Sequence, residues 1–102
     1  MAQQFVRDGP DRSAGAELPL RILHIEDDPD LADMYALGME MQGFEVVRAG
    51  DGIAGVQAAS VSGLDLVVID IGLPLMDGLE VLARLRQDPR TAELPAVPIW
   101  LP

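Results

Sequence analysis

Apolar and polar positions fall into blocks of two kinds along the chain. Residues 20–25, 44–49, 66–69 and 96–101 are short and apolar, and each reads as a strand. The run Leu66, Val67, Val68 and Ile69 is mostly β-branched and predicts a strand buried on both faces. Three stretches between these blocks carry helical spacing. In residues 29–42, Leu31, Met34, Tyr35, Gly38 and Met41 recur along a helix and predict its packing side. Asp28 is placed to cap that helix, Pro29 fits its first position, acids fill its first turn, and Gly43 is its stop. In residues 53–61, Ile53, Val56, Gln57 and Ser60 lie along one line, while the alanines and Gly55 predict close packing on a sheet. Residues 78–87 turn either Leu79, Leu82 and Leu85, or Val81 and Leu85, toward the interior.

Turns and breakers complete the division. Gly50-Asp51-Gly52 separates the second strand from the second helix, and Asp77-Gly78 starts the third. Pro95, Pro98 and Pro102 punctuate the last apolar block, and proline cannot donate to a ladder, so it is a strand only with proline at its first residue or at the sheet edge. Residues 1–19 show no apolar periodicity and predict a disordered lead-in. Residues 20–102 then form one small domain. Its order βαβαβαβ with short connectors demands parallel strands, hence an α/β, doubly wound parallel sheet.

Composition narrows the function. The chain has 102 residues and is 49% hydrophobic but only 4% aromatic, so its core is aliphatic. Seventeen acids face seven bases for a formal charge of −10, which argues against nucleic-acid contact and suits a divalent cation or a basic partner. All seven bases are arginine; there is no lysine. There is no cysteine, hence no disulfide or thiolate metal site. No apolar run is long enough to cross a membrane, and a soluble, cytoplasmic protein is expected.

The chemistry centres on residues 64–78. The third strand delivers Asp70 at its C-terminal end, where open α/β sheets bind ligands. A loop with Gly72 and Pro74 follows, then Met76-Asp77-Gly78. This segment resembles the phosphoacceptor strand and loop of bacterial response-regulator receiver domains (CheY-like), whose pattern is Asp-x-x-Met/Leu-Pro-x-Met-Asp-Gly. The resemblance covers residues 21–101. It includes Glu26-Asp27-Asp28 after the first strand, Ala49-Gly50-Asp51-Gly52, and Leu94-Pro95 before the fourth strand.

The resemblance implies a flavodoxin-like sheet of order 2-1-3-4, lacking the fifth strand and last helices. It implies phosphorelay signal transduction, with Asp70 accepting a phosphoryl group from a sensor histidine kinase or phosphotransfer protein. The first and third strands are neighbours in such a fold, so Glu26, Asp27 and Asp70 converge. Carboxylates that close repel, and a hard divalent cation with oxygen ligands relieves the repulsion. By resemblance, Asp27 and Asp70 bind Mg²⁺ directly, the Gly72 backbone carbonyl supplies a third oxygen, and Glu26 acts through water. The family's Thr or Ser after the fourth strand and Lys after the fifth have no counterpart here. The chain resembles a receiver cut after its fourth strand. Its own chemistry is then autophosphorylation only, impaired by the absent hydroxyl and lysine, rather than that of a turnover enzyme. Apolar surface at Ile99, Trp100 and Leu101 on the exposed edge predicts self-association.

Plainer roles suit the other chemistry-bearing residues. Asp28 and Asp30 serve the helix start, and Asp77 starts the third helix. His24 reads as a partly buried core residue, and Met34, Tyr35, Met39 and Met41 as helix packing. Thr91 precedes the fourth strand and lies in the wrong place for phosphate chemistry. Two other functions compete: a truncated receiver acting as a dimerisation or interaction module, and an aspartyl phosphohydrolase of the haloacid dehalogenase type. The latter carries a second acid two residues after the nucleophile, where this chain has Gly72.

Overall fold

The computed structural model describes residues 19–61, 63–73 and 76–99. The lead-in, apart from Pro19, and the edge residues Trp100 and Leu101 lie outside them. The described elements are β1 (Arg21–Ile25), α1 (Pro29–Met41), β2 (Glu45–Ala49), α2 (Gly52–Val61), β3 (Leu66–Asp70), α3 (Gly78–Gln87) and β4 (Ala96–Ile99). The four strands form one parallel sheet in the order β2-β1-β3-β4. Parallel neighbours need crossover connections, and each helix provides one.

Strand alternation sorts the two faces. Leu23, Ile25, Val67 and Ile69 point to one side, where Ala49, Ala59, Leu73, Met76, Val81 and Leu85 complete the main core under α2 and α3. Ile22 and His24 point to the other side, where the His24 ring meets the edge of Tyr35 on α1 at 5.3 Å. His24 is fully rather than partly buried, with both ring nitrogens unpartnered.

Capping follows the expected chemistry. Asp28 Oδ1 accepts the backbone N–H groups of Asp30 (2.9 Å) and Leu31 (3.3 Å) at the start of α1. Gly43, at φ 98°, takes the left-handed conformation after that helix. Asp77 Oδ1 accepts from the N–H of Glu80 (2.9 Å) at the start of α3.

On two helices the predicted packing side is only partly buried: Leu31 and Tyr35 of α1 and Val56 and Ser60 of α2 are half-buried, and the fully buried positions beside them are small residues. On α1 the buried residues are Ala32 and Ala36, while Met34 and Met41 are exposed by 56% and 75% and Gly38 is also exposed. Alanine brings the helix axis closer to the sheet than methionine could, so the longer side chains are turned outward. On α2 the buried residues are Gly52, Gly55 and Ala59, with Ile53 and Gln57 outside. On α3 the pair Val81 and Leu85 is buried, and Leu79 is exposed.

β4 is an edge among the described strands. Its bonds to β3 run through Pro95, Val97 and Ile99, as set by the register Val67↔Ala96 and Ile69↔Pro98 and by the bonds Val67 N–H to Pro95 O and Ile71 N–H to Ile99 O. Pro98 therefore faces away from β3, where its missing N–H costs the ladder nothing.

Candidate functional site

Adjacent parallel strands end at the same level, and their last residues define the site. The register Ile25↔Ile69 puts Glu26, just past β1, beside Asp70, the last residue of β3. Asp27 follows Glu26 at the mouth. One carboxylate oxygen from each of Glu26, Asp27 and Asp70 lies within 4.8 Å of the others. Glu26 and Asp70 are buried, and Asp27 is exposed.

Backbone groups hold these side chains. The Glu26 N–H donates to Ala49 O on β2 (3.0 Å), and Glu26 Oε2 accepts from the Asp28 N–H (3.2 Å). Asp70 Oδ1 accepts from the Gly72 N–H (3.0 Å) across a tight turn. Glu26 Oε1 is buried with no partner. Burial raises the Glu26 pKa above its ordinary value; the Asp28 N–H opposes this, and the charges of Asp70 and Asp27 reinforce it. A cleft of about 260 Å³ opens beside the acids, lined by Glu26, Asp27, Pro29, Ala32, Arg48, Ala49 and Gly50.

No described base neutralises the cluster. Arg48 pairs with Asp33 (2.8 Å), Arg21 with Glu45 (3.1 Å), Arg84 with Glu80 (3.4 Å) and Arg90 with Asp88 (2.7 Å). Arg86 donates to the carbonyls of Thr91, Ala92 and Leu94. An all-oxygen donor set with a buried orphan oxygen and no protein counter-ion fits a hard divalent cation.

The structure thus brings together Glu26, Asp27 and Asp70, and places Gly72, exposed, two residues beyond Asp70. Asp28, Asp30 and Asp77 lie at helix starts. Thr91 is buried in the connector after α3, its Oγ1 donating to Leu85 O at 2.6 Å, away from the acids. The orphaned Glu26 oxygen has no signal in sequence, because it depends on which N–H the carboxylate meets.

Comparison with known proteins agrees with this geometry. Residues 22–101 match the family model of the response regulator receiver domain. The chain is 44% identical over 77 residues to the DNA-binding dual master transcriptional regulator RpaA of Synechocystis, covering 76% of this chain and 32% of that protein. It is 39% identical over 79 residues to the transcriptional regulatory protein TcrA of Mycobacterium tuberculosis, covering 78% and 31%. The chain therefore spans about a third of the length of these curated relatives. Among solved structures, it is similar to the receiver domain of sensor histidine kinase PA1611 from Pseudomonas aeruginosa, which holds a magnesium ion in its active-site cleft. The TM-score is 0.76 at 25% identity, covering 78% of this chain and 66% of that one. The N-terminal domain of a response regulator receiver protein from Methanoculleus marisnigri gives a TM-score of 0.74 at 32% identity, covering 76% and 63%.

Proposed function

This chain belongs to the response regulator receiver family, whose work is phosphorelay signalling, and on that premise we propose that Asp70 is its phosphoacceptor. The observation that carries the reading is the buried, unpartnered Glu26 oxygen within a cluster of three carboxylates that no described base neutralises. The donor is a phosphohistidine of a sensor kinase or phosphotransfer protein. The Gly72 N–H occupies Asp70 Oδ1, which leaves Oδ2 as the attacking oxygen. The new O–P bond forms as the P–N bond of a phosphohistidine protonated on its other ring nitrogen breaks; the electron pair returns to the leaving nitrogen, giving an aspartyl phosphate and a neutral histidine.

Asp27 and Asp70 would hold Mg²⁺ with the Gly72 carbonyl, and Glu26 through water. When bound there, the cation supplies neutralisation of charge on the phosphoryl oxygens.

The test is incubation of the full chain with Mg²⁺ and acetyl phosphate, followed by intact-mass measurement. One phosphoryl adduct is expected, absent from Asp70→Asn. Steady phosphate release without an adduct would indicate a phosphohydrolase, and cation binding with neither product an interaction module.

A further inference from the structure

The segment that carries Asp70 and Gly72 is seated on backbone rather than on side chains. Gly78 opens α3 and donates its N–H to Ile71 O (3.1 Å), closing a loop that begins at Asp70. A Cβ on Gly78 would lie 2.8 Å from Asp70 O, 2.8 Å from Ile71 Cα and 3.0 Å from Ile69 Cγ2. The same segment meets a second glycine on another helix. A Cβ on Gly52 of α2 would lie 2.7 Å from Met76 O and 2.9 Å from both Met76 Cβ and Val81 Cγ2. Neither φ lies in the left-handed region, so what these positions require is space rather than conformational freedom.

We propose that Gly78 is a positioning residue for the cation-binding site: by letting α3 start directly against the Asp70–Ile71 backbone, it sets where the Asp70 carboxylate and the Gly72 carbonyl stand relative to Asp27. This rests on the phosphoacceptor reading above. A side-chain clash can be relieved by a rotamer change, but a methyl group pressed on backbone cannot. One of the two backbones must move. Val81 and Leu85 hold α3 in the main core and Asp70 is held as the last residue of β3, whereas Ile71, the other backbone contact, is half-buried and Gly72 beyond it is exposed. The displacement therefore falls on the acceptor segment, and about 0.5 Å is the tolerance within which such a site works. Mg²⁺ demands near-ideal octahedral geometry, while Ca²⁺ accepts irregular sets of oxygen ligands. A displaced segment penalises the first cation more than the second.

The experiment is calorimetric titration of the full chain with Mg²⁺ and, separately, Ca²⁺. Gly78→Ala is expected to weaken Mg²⁺ binding by about 10- to 100-fold and Ca²⁺ binding far less, so the affinity ratio changes. Gly43→Ala is the control: Gly43 takes φ 98° between α1 and β2, where a side chain strains the backbone with nothing within 4 Å of its Cβ, outside the segment that carries Asp70 and Gly72. It is expected to lower the melting temperature but leave the ratio alone. Gly52→Ala reaches the segment from its other end and shifts the ratio in the same direction, which decides the matter if Gly78→Ala does not fold. A ratio unchanged in the variants that fold overturns the positioning role while leaving the phosphoacceptor reading intact. Failure of the wild-type chain to bind Mg²⁺ overturns both.

Discussion

His24 shows how a single buried polar ring weighs on this fold. It is 1% exposed, in contact with the Tyr35 edge, and neither nitrogen has a hydrogen-bond partner. Burial and the nearby Arg48 charge push its pKa below the ordinary value of 6.5, and Asp70 opposes them. The folded state thus prefers neutral imidazole. Its contribution to stability is fully present above about pH 6.5 and is lost as the pH falls below the unfolded value. Replacing the ring with a side chain of similar volume and no polar atoms removes both an unpaired polar group and this titration. His24→Leu is expected to gain about 1 kcal/mol at pH 7.5 and to lose less stability than the wild type between pH 7 and 5. Urea melts at the two pH values measure both. A less stable variant at pH 7.5 would mean that the ring has a partner in solution.

At the scale of elements, α1 is where the sequence misleads. Leu31, Ala32, Met34, Tyr35, Ala36, Leu37, Met39 and Met41 spread apolar character almost round the helix, so hydrophobicity alone gives little direction. Close packing decides instead, and the two alanines face the sheet. Ala36→Leu is expected to cost about 1–3 kcal/mol by overpacking, whereas Met41→Lys should stay within about 0.5 kcal/mol of wild type. Chemical denaturation distinguishes the two. The caps at Asp28 and Asp77 were legible because a short acid before a helical run needs only local geometry. The convergence of Glu26, Asp27 and Asp70 was legible because strand order and strand ends determine it. The hold on the connector after α3 was not legible: Arg86 donates through one nitrogen to Thr91 O, Ala92 O and Leu94 O, at 3.3, 3.0 and 2.7 Å. Those contacts depend on how the chain folds back, which no spacing encodes. Arg86→Met keeps the apolar stem and removes the donors. It should cost about 1–2 kcal/mol and speed amide exchange in residues 91–94 before that of Val81 or Leu85, as hydrogen-exchange mass spectrometry would show.

Across the whole molecule, the charge of −10 is unevenly compensated. Four of the five described arginines pair with acids outside the cluster, Arg48 among them although it lines the same cleft, and the fifth pairs with carbonyls, so repulsion among the carboxylates is left where β1 and β3 end. Burial, with the charges of Asp70 and Asp27, raises the Glu26 pKa. The metal-free fold is therefore favoured with Glu26 protonated, and it loses that stability as the pH rises through the Glu26 titration. A cation bound at the acids needs them ionised, so its stabilising effect grows in the same direction. With the cation at ten times its dissociation constant, the gain is about 1.4 kcal/mol, several degrees in melting temperature for a domain of this size. Sodium chloride at matched ionic strength screens exposed charges over a length of about 8 Å near physiological salt and does little for buried ones. Millimolar Mg²⁺ should thus raise the melting temperature at pH 7.5 well beyond the matched salt, and less so at pH 5. Asp70→Asn should melt higher than wild type without Mg²⁺, because one repelling charge is gone, and should lose most of the Mg²⁺ increment. An equal increment from matched sodium chloride would leave the three carboxylates as a screened acidic surface and nothing more.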